Sequence, residues 1–500
     1  MMSGPVLTYS LAVPYIAGFI QLLLNRRASG RVHAILSSLS LLVPALASVA
    51  AFAAYGPYSS YKLPVYALGY FMIFVDGLNW PVVAGIALVT VLIAVYSYPY
   101  MKERFHELGT EDWGIYYFLY VYFSASLLGI VLSNNFILFY LFLEVSLITS
   151  FLLIALYGYG NRQRISIIYL IWTHLGGFLF LVGAFIYGLT LGTFNFYPQP
   201  MSETFLLARL GSLAAIVAAL VMLGMFVKMA VFGVHMWLPY AHAEAPTPIS
   251  ALLSPVMIGI GGYAIIRITY LLFRPLMLRA QLVLLALSIV TIIYGGLMAL
   301  KESDFKRLLA YSSIAQMGYM LMGIATLSPI GILGALLQFF AHAVGKSILF
   351  TSAGVLIAKN GNLRDINKMG GLARSMPYTS SLALLGFMDI SGLPPTIGFF
   401  SKLLILIAVG VELVRLGLPG LILLALVLLG FGLTPAYAFL AMKRIFFGPP
   451  RMKAIEGDLV MLLPMVLIAA VGILTFAFPA LIINPVSGFL HAMTLIGEVV

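Results

Sequence analysis

Residues 226–254 read FVKMAVFGVHMWLPYAHAEAPTPISALLS. Apolar residues dominate this stretch, but Lys228 lies near its start and prolines follow at positions 239, 246 and 248. A transmembrane helix needs about 20 apolar residues, and irregular backbone at membrane depth is tolerated only where protein or a water-filled cavity covers it. The stretch therefore predicts a broken transmembrane helix that is packed inside a bundle of other helices.

The composition of the whole chain also predicts a membrane protein. Of its 500 residues, 62% are hydrophobic and only 9% are charged, whereas soluble domains carry about 25% charged residues. Cysteine is absent, which excludes disulfides and thiolate-held metal or iron–sulfur sites on this chain. The composition therefore predicts an all-α polytopic membrane protein, and we assign it no metal, no cofactor and no catalytic redox site.

Apolar runs of sufficient length predict about 14 transmembrane helices joined by short connections. No connection is long or polar enough to form a second, soluble domain. The predicted spans lie near residues 4–24, 32–55, 71–98, 114–132, 135–157, 164–190, 210–237, 250–273, 281–300, 307–326, 330–357, 378–408, 418–446 and 459–483.

The distribution of Lys and Arg predicts the orientation of the chain. Eighteen of these residues follow odd-numbered spans and only five follow even-numbered spans. Cytoplasmic connections of membrane proteins are enriched in Lys and Arg, so the odd connections are predicted to be cytoplasmic and both termini to lie outside. The same pattern explains the net charge of +11 without nucleic acid as a partner.

Four basic residues fall in no connection, namely Lys228, Arg267, Lys346 and Lys402. Arg267 is near the predicted end of its span, where a long side chain can reach the membrane surface. The three lysines lie deep within spans, where a charge costs at least about 2.5–3.5 kcal/mol and often marks an ion pathway. A buried lysine with a movable carboxylate partner suits proton transfer, because burial and the partner act in opposite directions on its charged form.

Five further ionisable residues share this depth: Glu144, Asp389, His174, His235 and His342. Each has a structural alternative. Glu144 and the lysines can form helix-packing ion pairs, while the histidines, and Lys346 with His342 on one helical face, can form interhelical hydrogen bonds. Asp389 lies beside a helix break, where free backbone N–H groups can hold it. Asp76, in contrast, is predicted to cap a helix at the membrane interface.

A second broken span is predicted at residues 391–406, SGLPPTIGFFSKLLIL, where Lys402 follows two prolines. Paired interrupted spans suggest a transporter built from structural repeats. If spans 4 to 8 form one repeat and spans 9 to 13 another, Lys228 and Lys402 both fall on the fourth helix of a repeat, and the odd number of helices inverts one repeat relative to the other. This division gives an N-terminal three-helix segment, two five-helix repeats, and helix 14 with a tail, at residues 1–112, 113–275, 276–447 and 448–500.

Four motifs resemble one known family. They are VKMAVFGVHMWLPYAHAEAPTPISALLS at 227–254, KESDFKRLLAYSSIAQMGYMLMGI at 301–324, HAVGKSILFTSAGVL at 342–356 and SGLPPTIGFFSK at 391–402. In order and spacing they are similar to the antiporter-like, proton-translocating subunits shared by respiratory complex I, Mrp sodium/proton antiporters and membrane-bound hydrogenases. The resemblance is greatest to Mrp D-type and to hydrogenase or sulfur-reductase subunits. It covers essentially the whole chain and implies 14 helices, two inverted five-helix repeats and breaks in helices 7 and 12.

The resemblance also implies roles for individual residues. Glu144 matches the family's helix-5 glutamate and Lys228 its helix-7 lysine, which form the ion pair whose opening drives proton movement. His342 and Lys346 match polar positions of helix 11, and Lys402 matches the terminal ionisable residue of helix 12. The redox centres of such complexes lie on other subunits. The implied partners are therefore other antiporter-like and small membrane subunits and a peripheral iron–sulfur arm, in a prokaryotic plasma membrane.

One position departs from the family pattern. Many relatives carry a lysine in helix 8, in a motif like VMIKxGxY. Residues 256–263 of this chain read VMIGIGGY, with Gly259 at the position of that lysine. The middle link of the N-terminal half is therefore missing, or water supplies it.

The sequence thus predicts a subunit that conducts protons, or couples protons to Na⁺, with a driving force that comes from partner subunits. Two alternatives stay open: a scaffold or half-channel that docks neighbouring membrane subunits, and a free-standing Mrp-type antiporter component. The candidate pathway residues are Glu144, His174, Lys228, His235, His342, Lys346, Asp389 and Lys402.

Overall fold

The computed structural model describes residues 2–198 and 203–498, with the backbone alone at residues 2, 3 and 494–498. Most of these residues are helical, and we number the α-helices α1 to α19 in chain order. They are Val6–Leu23, Gly30–Tyr55, Trp80–Leu108, Trp113–Leu132, Phe136–Tyr157, Arg162–Leu191, Glu203–Leu210, Leu213–Met229, Trp237–Glu244, Thr247–Leu252, Ile258–Ala264, Leu271–Lys301, Phe305–Ala325, Pro329–Lys359, Pro377–Ser391, Gly398–Val414, Leu418–Met442, Leu459–Ala477 and Ala480–Glu498.

Eleven helical segments of the described residues are long and apolar enough to cross a membrane. The prediction of a polytopic helical membrane protein is thereby confirmed. α13 and α14 lie at the centre of the bundle, because nearly all of their residues are buried by neighbouring helices. α13 carries Ser312, Ser313 and Gln316, and α14 carries Lys346, so this pair places polar side chains in the middle of an apolar bundle.

Short strands precede α3. They are Met2–Ser3, Tyr58–Ser59, Leu63–Val65, Gly69–Phe71 and Phe74–Val75. The first, second and fifth form one small sheet, and the third and fourth form a hairpin. The sequence placed the start of span 3 at residue 71, which is too early. α3 begins only at Trp80, because the preceding residues pair as strands and the Asp76 carboxylate accepts the N–H groups of Leu78 and Asn79, both at 3.0 Å.

Arg267 does not reach the membrane surface, contrary to the expectation from its position. Its side chain is 1% exposed, and its two terminal nitrogens lie 2.9 and 2.6 Å from the oxygens of Asp76. Its Nε donates to the Tyr263 hydroxyl at 3.1 Å. Asp76 is not the N-cap of α3, which is Asn79. Its ion pair with Arg267 joins the residues before α3 to the π-helical segment that follows α11.

Predicted spans 8 and 9 form one continuous helical run from Thr247 to Lys301. Two π-helical segments, Leu253–Met257 and Ile265–Tyr270, interrupt the α-helical geometry, and Phe273 has a non-helical φ of −134°. The first π-segment contains Pro255, which has no N–H to donate, so a widened turn accommodates it. The connection expected between the two spans is thus a kinked helix.

The described part of the C-terminal tail is helical rather than irregular. α18 ends at Ala477, and α19 follows after Phe478 and Pro479. The Trp80 indole donates to the carbonyl of Leu481 at 3.1 Å, and the Phe489 ring lies 5.3 Å from the guanidinium of Arg267. α19 therefore covers the end of the bundle at which α3 begins.

Candidate functional site

The first break in a helix lies beside Lys228. α8 stops because Ala230 adopts a left-handed backbone with φ 53°, and α9 resumes at Trp237. The Trp237 indole donates to the carbonyl of Val227 at 3.0 Å, which satisfies one group that the break leaves free. Lys228 is 4% exposed, so its side chain lies inside the bundle, close to the residues at which the helical hydrogen bonding is interrupted.

Glu144, on α5, contacts α6. Its Oε2 lies 3.2 Å from Nδ1 of His174, and its buried Oε1 has no hydrogen-bond partner. Gly177 makes room for this carboxylate, since a Cβ there would lie 2.8 Å from Oε1. The charges of Glu144 and Lys228 interact. No nitrogen–oxygen distance of 4.0 Å or less joins these two described side chains, so they form no direct ion pair.

His174 brings this group to the outer face of the chain. Its side chain is 54% exposed, and the neighbouring exposed residues of α6 are the apolar Ile171, Leu175 and Phe178. The Glu144–His174 pair is therefore a polar spot on an otherwise apolar helical surface.

The second break carries a carboxylate of its own. α15 ends at Ser391, Gly392 is left-handed with φ 75°, and α16 begins at Gly398. Asp389 bridges the gap, because its Oδ1 accepts the N–H of Gly398 at 2.9 Å. Its Oδ2 is buried and has no hydrogen-bond partner. Backbone at the break thus holds one oxygen of Asp389 and leaves the other one unsatisfied.

Lys402 lies on the second half of this broken span and is 5% exposed. Its Nζ donates to Oε1 of Gln316 at 3.0 Å and lies 3.4 Å from the centroid of the Tyr319 ring. Gln338 donates to the same amide oxygen at 2.8 Å. Amide oxygens and ring faces stabilise an ammonium ion without an opposing charge. Asp389 interacts with Lys402 electrostatically across the break.

Lys346 and His342 lie one turn apart on α14 and are at most 1% exposed. The Lys346 Nζ donates to the carbonyl of Leu309 at 2.8 Å and also contacts the Ser312 hydroxyl. His342 Nδ1 lies 3.3 Å from the carbonyl of Pro255, in the first π-helical segment, and its Nε2 has no partner. The two side chains therefore link α13 to the widened turn of span 8.

Gly259 separates the two halves of the candidate pathway. A Cβ added at this position would lie 2.5 Å from the ring of Phe339 on α14, and a Cβ at Gly262 would lie 2.5 Å from Met320. Apolar side chains thus fill the space that a helix-8 lysine would need. The glycine does not leave room for water at the position of its missing side chain.

His235 makes contacts that are local to the first break. Its Nδ1 accepts the N–H of Gly233 at 3.2 Å, and its ring packs on those of Phe232 and Tyr294. The structure therefore places His235 in the turn between α8 and α9 and on the surface of α12.

The candidates from the sequence omitted two buried ionisable residues. His242, on α9, has no exposed surface, and neither of its ring nitrogens has a hydrogen-bond partner. Lys306 was assigned to a connection, which is wrong, because it is fully buried in the first turn of α13 and donates to the carbonyl of Ala245. The signal was present, since Asp304 caps that helix and therefore places Lys306 inside it.

Among residues 2–198 and 203–498, no group of three or more histidine or carboxylate side chains is arranged as a metal site. The buried lysines instead contact amide, carbonyl and ring groups. Chemically, this arrangement can hold and exchange single charges at several positions within the bundle.

Comparison with known proteins identifies the family. Residues 133–428, more than half of the chain, match the model of the family described as NADH:quinone oxidoreductase/Mrp antiporter, TM. The chain belongs to this family. The family resemblance inferred from the four motifs is thereby confirmed.

Individual members of the NADH:quinone oxidoreductase/Mrp antiporter family match over most of the chain. The F(420)H(2) dehydrogenase subunit M of Methanosarcina mazei is 32% identical over 382 residues, which is 74% of either protein. A chain of respiratory complex I from Thermus thermophilus superposes with a TM-score of 0.84 at 25% identity, covering 97% of this chain and 98% of its own. A chain of the membrane-bound sulfane sulfur reductase, an archaeal respiratory membrane complex, gives 0.81 at 25% identity, covering 94% and 75%.

Proposed function

We propose that this chain is the ion-translocating membrane subunit of a respiratory-type redox complex and that protons move along its buried ionisable residues. The family and the similar subunits of F(420)H(2) dehydrogenase, complex I and sulfur reductase support the first part. The observation that carries the second part is the burial of three lysines, Lys228, Lys346 and Lys402, two of them on broken helices. Charges at such depth persist where they serve an ion pathway.

The proposed architecture has 14 spans. The run from Thr247 to Lys301 is 55 residues long, about 80 Å if fully helical, which is enough for two crossings of a bilayer core of about 30 Å, and we place the reversal between them at the kink at Phe273. The two broken spans, α8 with α9 and α15 with α16, add two further crossings to the long helices. Spans 4 to 8 and 9 to 13 then form the two inverted repeats, within residues 113–275 and 276–447.

We propose that both termini lie outside the cell, in a prokaryotic plasma membrane, because the connections after odd-numbered spans carry most of the Lys and Arg. The partners are other membrane subunits and a peripheral redox arm that supplies the driving force. The polar spot at Glu144 and His174 supports contact with another membrane subunit, since an exposed charge at membrane depth is costly in lipid.

The proposed pathway has two segments. Glu144, His174 and Lys228 form the N-terminal segment, with His235 in the adjacent turn. His342, Lys346, Asp389 and Lys402 form the C-terminal segment. Phe339 separates them beside Gly259, so the N-terminal segment acts on the C-terminal one through its electric field rather than by passing protons directly. A change in the distance between Glu144 and Lys228 alters that field, because a buried charge is screened less than an exposed one.

The direct test is substitution of the end lysines in the assembled complex. Lys228→Ala and Lys402→Ala are each expected to abolish proton uptake driven by electron transfer in inside-out membrane vesicles, with normal amounts of the chain in the membrane. Lys453→Ala, at an exposed connection, is the control and should pump normally. Normal pumping by both buried-lysine variants would contradict the proposal.

A scaffold function is favoured by one observation, the apolar contact of Phe339 with Gly259. A subunit that only docks its neighbours would tolerate Lys402→Ala without loss of pumping by the complex. A free-standing antiporter would purify without redox subunits, so the composition of the complex isolated from membranes distinguishes this third function.

A further inference from the structure

A cavity of about 600 Å³ lies among the connections after predicted spans 7, 9 and 11, the side of the chain on which most of the basic residues lie. Its wall carries both signs of charge. Arg364 pairs with Asp304 at 2.8 Å, and Arg307 pairs with Glu302 at 3.2 Å. Glu244 also lines the cavity, but its buried Oε2 has no hydrogen-bond partner. The wall therefore holds one carboxylate oxygen that its own neighbours leave unsatisfied.

Lys306 lies behind Glu244. It is fully buried in the first turn of α13, and its Nζ donates to the carbonyl of Ala245, the residue that follows Glu244. Its charge interacts with those of Glu244 and Asp304 at the cavity. Lys306 thus connects the wall of the cavity to the interior of the bundle.

His242 is the next group inward. Its ring packs on Phe350 with a centroid distance of 5.3 Å, and both ring nitrogens are buried without a hydrogen-bond partner. Lys306 and Lys346 both act electrostatically on this ring. A buried polar group without partners is costly, and a histidine is the side chain that can accept a proton on one nitrogen and release another from the second.

Lys346 completes the series. It contacts Leu309 and Ser312 of α13 and interacts with Lys402. The series from the cavity to Lys346 does not pass Gly259, so the apolar contact with Phe339 does not interrupt it. The C-terminal segment therefore has polar groups that reach one surface of the protein without help from the N-terminal segment.

We propose that the cavity lined by Glu244 is the cytoplasmic mouth of a proton route that reaches Lys346 through Lys306 and His242. This inference rests on the proposed function and names the access route of its C-terminal segment. One proton from bulk water is taken up at the Glu244 carboxylate and passes to the neutral amine of Lys306. Lys306 then gives a proton to one ring nitrogen of His242, and His242 gives the proton on its other ring nitrogen to the neutral amine of Lys346. Glu244 and Lys306 are then back in their starting states, His242 is left as its other neutral tautomer, which must revert before the next transfer, and Lys346 carries the proton that has moved inward.

Water access can be tested without any pumping assay, because the chain contains no cysteine. Single cysteines are introduced as Leu363→Cys at the cavity wall, His242→Cys on the route and Ile260→Cys in buried α11. The complex in inside-out vesicles is treated with a charged, membrane-impermeant methanethiosulfonate, and the subunit is analysed by mass spectrometry. Labelling of L363C is expected, and none of the fully buried H242C and I260C, because the proton passes inward from the wall between side chains. Absence of labelling at L363C would overturn the mouth, since bulk water would then not reach the cavity wall.

The functional test compares two buried histidines. His242→Phe removes both ring nitrogens and keeps an aromatic ring against Phe350. His33→Phe is the matched control, because His33 is also fully buried with one unpartnered ring nitrogen but lies on α2, near Gln21. At least a tenfold loss of proton uptake in H242F, with the chain present at normal level and H33F active, is expected.

The outcomes separate this route from the proposed function. If Lys402→Ala abolishes pumping but His242→Phe does not, the function stands and the route is wrong. If Lys402→Ala and Lys228→Ala both pump normally, the proposed function fails, whatever the labelling shows. If the H242F chain is lost from membranes, proton uptake is measured in His242→Gln instead, because this variant keeps a polar group at the position. The labelling result then tests the mouth independently.

Discussion

The two broken spans carry their charges on different sides of the break. In the first, Lys228 precedes the left-handed residue Ala230, and the carboxylate that acts on it, Glu144, belongs to another helix. In the second, Asp389 precedes the break and Lys402 follows it, so one span contains both charges. The charge balance at the first break therefore depends on the packing of α5, whereas the second break carries its own.

The surroundings of the two lysines also differ. Lys402 has an amide oxygen at 3.0 Å and a ring face at 3.4 Å, which stabilise its ammonium group locally. At the first break, the Trp237 indole occupies the open carbonyl of Val227. The lysine of the first break therefore depends on a carboxylate from another helix, whereas the lysine of the second break has polar contacts with Gln316 and Tyr319 of α13.

Removing the carboxylate of the first break should have the largest effect. Glu144→Gln removes the charge that acts on the buried ammonium group of Lys228, and a change of about 1.4 kcal/mol in that interaction already corresponds to tenfold in rate. We expect at least a tenfold loss of proton uptake in inside-out vesicles. Glu111→Gln, at an exposed connection, is the control. Equal uptake in the two variants would show that Lys228 does not depend on α5.

Removing the carboxylate of the second break should have a smaller effect. Asp389→Asn keeps an oxygen that can accept the N–H of Gly398, and Lys402 retains Gln316 and Tyr319. We expect about a threefold loss of proton uptake, equivalent to about 0.7 kcal/mol, measured beside Glu144→Gln in the same vesicles. A loss as large as that of Glu144→Gln would mean that both breaks rely equally on a carboxylate.

The breaks and the three deep lysines could be predicted from the sequence because their signals are local. A charge, a glycine or a proline inside an apolar run is visible without knowledge of the fold. Lys228, Lys346 and Lys402 are indeed buried. The roles of these residues, the number of spans and the repeat boundaries stay predictions.

The residues that the sequence misplaced lie near the ends of helices. Arg267 is buried because Asp76, 191 residues away in the sequence, pairs with it. A contact over such a separation cannot be predicted from the residues around either partner. Lys306 and His242 are buried because α9 packs on the start of α13. At a helix end, the same residue can face water or protein, and tertiary packing decides which.

The backbone of the second break can be tested through Gly392. A Cβ there would lie 2.5 Å from Cδ of Lys402, and the left-handed φ of 75° disfavours any other residue. Gly392→Ala should lower the free energy of unfolding by about 2 kcal/mol and shift the Lys402 side chain, measured by thermal denaturation of the purified complex. Gly410→Ala, within α16, is the control, because nothing lies within 4 Å of its added methyl group. Equal thermal stability of the two variants would show that the break does not require a residue without a side chain at position 392.

The opposite change at the first break should have the smallest effect. Ala230 already holds a left-handed conformation, with φ 53°, which costs an L-residue about 1–2 kcal/mol. Ala230→Gly relieves that strain but adds chain entropy to the unfolded state, which costs about 0.4–1 kcal/mol. The two terms nearly cancel, so we expect the thermal stability of the complex to change by less than about 1 kcal/mol and proton uptake to stay normal. A larger loss of thermal stability would show that the fully buried methyl group of Ala230 stabilises the first break by packing. Both breaks, and not only the second, would then depend on close packing around their left-handed residue.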